Sequence, residues 1–168
     1  IYVKANGDMP CWCDAGEGHI LTTLDSRLLR IPSLDVLNHP VIQEIRKAFQ
    51  IENRLPFPAT CKECNCKYDT ESTEKNLILR KINILHVEPS WLCNLDCPLC
   101  VPRARRVREN RPPFLLSPSL WRALIDNFRA HDIQQIDILH LQGRGDPLMH
   151  PNLPQLISVF HDNYTSTQ

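Results

Sequence analysis

Residues 81 to 100, KINILHVEPSWLCNLDCPLC, decide the fold, because a short apolar run leads directly into three closely spaced cysteines. The run contains Ile82, Ile84, Leu85 and Val87, and such a run is typical of a buried strand. Three thiolates at spacings of four and three residues can converge if the loop wraps around one centre. A structural zinc site uses four ligands. A four-iron cluster held by three cysteines instead keeps one iron open to a non-protein ligand.

Downstream, the pattern alternates between helix and strand. Ser117 is a candidate N-cap with Pro118 at the first helical position, and the apolar residues of LSPSLWRALIDNFRAH recur as in an amphipathic helix. IDILHL (136 to 141) predicts a second strand, QGRGDP a loop, and LPQLISVFHD (153 to 162) a second helix. This order predicts an α/β fold with parallel strands, whose ligand loops lie at the carboxyl ends of the strands.

The composition of the 168 residues excludes some functions and favours others. Lysine plus arginine equals aspartate plus glutamate at 19 each, so no overall charge favours nucleic acid or a membrane surface. No apolar run is long enough to span a membrane and no signal peptide is evident, which predicts a cytoplasmic protein. Both ends look cut, so the chain is expected to be a piece of a longer protein. In a reducing compartment, eight grouped cysteines favour metal ligation over disulfides.

The first half of the chain differs in character from the second. IYVKANGDMPCW (1 to 12) predicts an extended segment turned at Asn6-Gly7, and SLDVLNHPVIQEIRKAF (33 to 49) predicts a helical face that Pro40 divides. The polar stretch KYDTESTEKN (67 to 76) predicts a linker. The expected organisation is therefore a cysteine-rich module over 1–68, a linker over 69–81 and an α/β unit over 82–168.

Two motifs of the second half resemble the radical S-adenosylmethionine (radical SAM) superfamily. CNLDCPLC has the family's Cys-x3-Cys-x2-Cys spacing, and QGRGDPLMHPNL, after the second strand, is similar to its GxGEP loop. The resemblance implies that Cys93, Cys97 and Cys100 hold a [4Fe-4S] cluster. Asp146 stands where the family has glutamate, which shortens the acidic side chain by one methylene.

The resemblance also implies a fold and a mechanism. The fold is the opening strand-helix units of a partial (β/α)6 radical SAM barrel. The unique iron chelates S-adenosylmethionine (SAM), and an electron from the reduced cluster produces a 5′-deoxyadenosyl radical that abstracts hydrogen from a substrate. Gly143 and Gly145 are expected to let the backbone approach SAM, and Asp146 to accept from its methionine ammonium. A flavodoxin or ferredoxin is the expected reductant, and a peptide is the leading substrate class.

The first half resembles the auxiliary iron-sulfur module called SPASM, here in a small irregular α+β form. The resemblance rests on GDMPCWC (7 to 13), the segment from Gly18 to Phe49, and CKEC (61 to 64). Because this module normally follows its catalytic domain, its position here suggests a tandem protein. The implied ligands of an auxiliary cluster are Cys11, Cys61 and Cys64, with Cys13 or Cys66 completing four.

Other interpretations stay open. A four-cysteine zinc site accepts the same thiolates as the auxiliary cluster, and a non-catalytic iron-sulfur or zinc-binding module is the alternative to an enzyme. RARRVRENR (103 to 111) is interpreted as a solvated basic face rather than a phosphate site. His86 and His140 are expected to be core histidines or partners of ligands. Trp12 and Trp91 are expected to shield the cysteine groups, and no aromatic platform for nucleic acid is evident.

Overall fold

The computed structural model describes residues 1–11, 20–57, 78–95, 97–98, 114–143 and 145–164. Within these ranges the strands are β1 (Tyr2–Val3), β2 (Asp8–Pro10), β3 (Ile20–Thr23), β4 (Lys81–Val87) and β5 (Gln135–Leu141). The α-helices are α1 (Pro40–Gln50), α2 (Pro118–Ala130) and α3 (Leu153–Tyr164), and short 3-10 turns cover Leu28–Arg30 and Pro147–Met149. Among the described helices, none is both long and apolar enough to cross a membrane.

The main sheet has three parallel strands in the order β1-β4-β5. The two strands predicted from the apolar runs are confirmed as β4 and β5, which pair in register from Ile82 opposite Ile136 to Val87 opposite Leu141. Their parallel direction is also as predicted. Because both strands run the same way, the two loops that follow them lie at one edge of the sheet.

The first segment of the chain adds a strand to this sheet, which the sequence did not predict. β1 pairs in parallel with β4, with Tyr2 opposite His86 and Val3 opposite Val87. The predicted turn at Asn6-Gly7 is confirmed: Gly7 has φ of 88° and its N–H donates to the Lys4 carbonyl at 2.9 Å. The chain then enters the antiparallel pair β2-β3. Residues on both sides of the predicted linker therefore share one sheet, while residues 69–77 of that linker lie outside the described ranges.

Helices α1 and α2 each begin with a capping side chain followed by a proline in the first turn. Ser117 caps α2 by accepting from the Leu120 N–H, with Pro118 in the first turn, so this predicted N-terminus is confirmed. α1 begins only at Pro40, behind the cap His39, so the predicted helical face is not helical before that residue. A proline fits the first turn because the N–H that it lacks has no partner within the helix there.

One apolar core joins the two halves of the described chain. The Trp121 indole donates to the Leu156 carbonyl at 2.8 Å, which links α2 to α3. Asn127 of α2, itself buried, donates to the Leu29 carbonyl at 3.2 Å and to the Leu34 carbonyl at 2.6 Å. These bonds tie the first-half turns to the helix behind the sheet. The largest fully buried side chains are Trp121, Phe128, Leu37, Leu85, Leu116, Leu124, Ile125, Ile133 and Leu156.

Candidate functional site

The segment that leads from β4 into the cysteine loop is held by backbone hydrogen bonds. The Trp91 N–H donates to the Phe114 carbonyl at 2.9 Å, and the Leu116 N–H donates to the Pro89 carbonyl at 2.8 Å. The Trp91 ring is buried and meets Phe114 edge to face, with ring centroids 4.9 Å apart. This pairing fixes the backbone at the entrance to the cysteine loop.

The structure places two of the three predicted cluster ligands at this edge of the sheet. Cys93 is half-buried and Cys97 is exposed, and neither forms a disulfide. Cys100 lies outside the described residues. A Trp91 that is buried two residues before the first cysteine is compatible with the predicted shielding role, which stays a prediction.

The glycine loop after β5 lies against the entrance to the cysteine loop. The Asp146 N–H donates to the Leu92 carbonyl at 2.7 Å, next to Cys93. An added Cβ at Gly145 would lie 2.7 Å from the Trp91 carbonyl carbon and closer still to the Ser90 and Leu92 carbonyl oxygens. No φ in the left-handed region is involved, so close approach explains why this position holds glycine. The two predicted motifs are thus in direct backbone contact.

Gly143 makes a second close contact, with Glu88. A Cβ at Gly143 would come within 2.7 Å of the carboxylate carbon of Glu88. In contrast to Gly145, the obstacle here is a side chain. The first glycine of the loop therefore leaves space for the Glu88 carboxylate, and the second leaves space for the backbone that leads to Cys93.

Glu88 connects three segments of the chain and was not singled out from the sequence. Its side chain is completely buried, and its carboxylate accepts from the Trp91 indole and from the Ala5 N–H at 3.4 Å. Its own N–H donates to the Val3 carbonyl at 2.9 Å. A buried carboxylate needs such donors. The signal in the sequence was an acidic residue directly after an apolar strand and before the cysteine loop.

Asp146 has a structural role besides the predicted one. Its carboxylate accepts from the Leu148 N–H at 2.9 Å and so caps the turn Pro147–Met149. A carboxylate has two oxygens and several acceptor sites, so one capping bond leaves capacity for a ligand ammonium. The half-buried Asp146 can therefore cap the turn and also accept from a ligand.

His86 and His140 lie beside each other on neighbouring strands. Their facing ring nitrogens are 3.2 Å apart, and the Gln142 amide is 3.4 Å from the other nitrogen of His86. Burial lowers the pKa of His86, and the charge of a protonated His140 lowers it further. The expectation that both are hydrogen-bonded histidines of the interior is confirmed for His86, which is 8% exposed. The half-exposed His140 bonds to it.

The predicted auxiliary site is described at one residue only. Cys11 follows β2, is half-buried, and lines a cavity of about 170 Å³ with mostly apolar neighbours that include Tyr2, Met9 and Leu37. Cys13, Cys61, Cys64 and Cys66 lie outside the described residues, as do Trp12 and the arginine run 103–111. The ligand set of this site stays a prediction.

Within the described ranges, no group of three or more His, Cys, Asp or Glu side chains is arranged to hold a metal ion. In comparisons with known proteins, no family model matches the chain, and neither a curated protein nor a solved structure does.

Proposed function

We propose that the chain contains the cluster-binding and nucleotide-binding loops of a radical SAM enzyme. In this proposal Cys93, Cys97 and Cys100 hold a [4Fe-4S] cluster, and the loop from Gly143 to Asp146 binds SAM. When bound, the cluster supplies the electron for reductive cleavage of SAM, which starts hydrogen abstraction from a substrate.

The observation that supports this proposal is the hydrogen bond from the Asp146 N–H to the Leu92 carbonyl. It joins the residue proposed to bind the SAM ammonium to the residue directly before the first cysteine. A ligand that bridges a cluster at Cys93 and the carboxylate of Asp146 requires these two loops to be neighbours. Thiolates on a loop at the carboxyl edge of parallel strands suit an iron-sulfur cluster, so the described residues fit the group.

The chain's own residues would supply position and exclusion of water. The buried Trp91 packs edge to face against Phe114 at the entrance to the loop. Gly145 lets the SAM-binding loop sit against the backbone of the cysteine loop. Asp146 offers a charged acceptor, and charge-assisted hydrogen bonds of this kind are about twice as strong as neutral ones.

The remaining parts of the proposal follow from the resemblance. They are an auxiliary cluster at Cys11, Cys61 and Cys64 with Cys13 or Cys66, a flavodoxin or ferredoxin as reductant, and a peptide as substrate. The alternative is a non-catalytic iron-sulfur or zinc-binding module, which would bind metal without cleaving SAM.

Replacement of the three loop cysteines by alanine tests the proposal. The parent chain, reconstituted anaerobically with iron and sulfide and then reduced, is expected to give a paramagnetic resonance signal of a cubane cluster that SAM perturbs. The Cys93→Ala/Cys97→Ala/Cys100→Ala variant is expected to lose that signal and keep any auxiliary cluster. Stoichiometric zinc without a cluster in the parent chain would contradict the enzyme proposal and favour the zinc-binding module.

The variant Asp146→Asn tests the proposed contact of Asp146 with SAM separately from its role as the cap of the turn Pro147–Met149. Asparagine retains an oxygen that can accept from the Leu148 N–H, so the turn Pro147–Met149 should keep its cap. Loss of the charge should weaken SAM binding by about tenfold or more, since a hydrogen bond to a charged group contributes about 1.5–3 kcal/mol. Equilibrium binding of SAM to the reconstituted protein measures this change. Equal SAM affinity in the parent and variant would exclude a charged contact at Asp146, and thermal unfolding checks that the cap persists.

A further inference from the structure

A pair of histidines lies on one face of the sheet. His86 of β4 and His140 of β5 are Cα partners in the parallel register. The Nε2 atom of His86 and the Nδ1 atom of His140 are 3.2 Å apart, and the two rings meet edge to face with centroids 4.5 Å apart. Because their backbones are fixed by the strand pairing, the two side chains start from neighbouring positions on the sheet.

The nitrogen separation suits a shared metal ion as well as a shared proton. Zinc–nitrogen distances are about 2.0–2.1 Å, so two imidazole nitrogens on one tetrahedral ion lie about 3.3 Å apart. The observed 3.2 Å is close to that value. Small rotations of the two rings would point both lone pairs at an ion between them, and that ion would replace the hydrogen bond between the rings.

The surroundings favour the neutral, metal-binding form of His86. Its side chain is buried, and burial lowers its pKa, so the ring is uncharged near neutral pH. The Gln142 amide lies 3.4 Å from the Nδ1 atom of His86. The oxygen and nitrogen of an amide are assigned from the hydrogen-bond network, so the oxygen can face the ring and accept from Nδ1–H. That arrangement leaves the lone pair on Nε2, where His140 is, and it is the usual way in which a second residue orients a histidine ligand.

The face that carries the histidines is open near them. Ile84 and Ile138 lie two residues before His86 and His140 on their strands, so they share that face, and they are 38% and 45% exposed. Within the described ranges no third His, Cys, Asp or Glu side chain completes a ligand group with the histidines. The partial exposure of Ile84 and Ile138 would let water reach an ion at this place.

We propose that His86 and His140 form a binding site for one divalent transition-metal ion, such as Ni²⁺ or Zn²⁺, with Gln142 as the positioning residue. Imidazole nitrogen suits these ions. The site is separate from the proposed cluster, and its two protein ligands lie on neighbouring strands of the sheet. It goes beyond the proposed function and does not depend on it.

Titration with Ni²⁺ tests the site on the full chain, after its cysteines have been saturated with cluster or, where no cluster forms, blocked by alkylation with the chain free of added zinc. Calorimetry and the visible absorption of Ni²⁺ are expected to show one site per chain with nitrogen ligands. His86→Ala and His140→Ala should each lose this binding, and Gln142→Ala should weaken it about 10–100-fold. His161→Ala is the matched control, because His161 lies on α3 and is mostly exposed.

Three results would overturn the inference. The first is no Ni²⁺ binding by the saturated parent chain. The second is binding that the His86 and His140 variants retain, which would place it elsewhere. The third is an equal loss of Ni²⁺ binding in the His161→Ala control.

Circular dichroism of each variant shows whether it is folded. His86→Gln, which keeps much of the ring's volume and polarity, provides a second test if His86→Ala unfolds. Because alkylated cysteines serve as well as cysteines saturated with cluster, failure of the radical SAM proposal leaves this test intact.

Discussion

Gly145→Ala is expected to lower the free energy of unfolding by about 3 kcal/mol, at the upper end of the usual cost of overpacking a well-packed region. The added methyl group would lie 2.7 Å from the Trp91 carbonyl carbon and closer to two carbonyl oxygens of the same segment. These are backbone atoms, and hydrogen bonds from Trp91 to Phe114 and from Leu116 to Pro89 hold that segment in place. Relief of the clash therefore requires the glycine loop to leave the cysteine loop, which would break the bond from Asp146 to Leu92.

Urea unfolding of the chain and equilibrium binding of SAM after anaerobic reconstitution measure the two consequences. We expect Gly145→Ala to lose stability and, under the proposed function, to lose SAM binding even where some iron is retained. Asn94→Ala, an exposed substitution within the same cysteine loop, should leave both quantities unchanged. Parent-like stability and SAM affinity in Gly145→Ala would show that the contact between the two loops is unimportant.

The elements with strong local patterns could be predicted from the sequence. β4, β5 and α2 combine apolar periodicity with turn or capping residues, and each forms close to its predicted bounds. β1 was missed as a sheet strand because it is only two residues long and pairs with β4, far along the chain. Pairing between such distant segments depends on tertiary packing, which periodicity within one segment cannot report.

The distinction between features set by a local sequence pattern and features set by tertiary packing also applies to the site. That the cysteine loop and the glycine loop are neighbours follows from two consecutive parallel strands, and sequence order was enough to predict it. The role of Glu88 could not be predicted in this way. Its carboxylate accepts from the Ala5 N–H, 83 residues away in the chain, and it occupies space that only a glycine at 143 leaves open. Each of these partners comes from a different segment. The contacts of Glu88 are therefore seen only in the folded structure, where its side chain is buried among them. The partial barrel, both clusters and the two-module organisation stay predictions.

Glu88→Ala is expected to cost about 3 kcal/mol of unfolding free energy, because it leaves the Trp91 indole N–H and the Ala5 N–H without their buried acceptor. Gly143→Ala is expected to cost about 2 kcal/mol, since its methyl group would overlap the Glu88 carboxylate. The Glu88 side chain is thus what obstructs alanine at position 143, and Glu88→Ala removes that side chain.

The two substitutions should therefore be non-additive. In the Glu88→Ala background the methyl group at position 143 no longer meets the three atoms nearest to it, so the double variant should be more stable than the sum of the single effects by about 1–2 kcal/mol. Urea unfolding of the parent, both single variants and the double variant measures this coupling. The matched comparison pairs Glu88→Ala with Gly145→Ala: that clash involves backbone atoms that Glu88→Ala leaves in place, so its coupling should be smaller than in the first cycle, although both residues contact Trp91. If the costs of Glu88→Ala and Gly143→Ala are additive, Gly143 does not accommodate the Glu88 side chain. If the coupling is equally large for Gly143→Ala and for Gly145→Ala, the whole glycine loop responds as one unit and the specific contact between Gly143 and Glu88 is not supported.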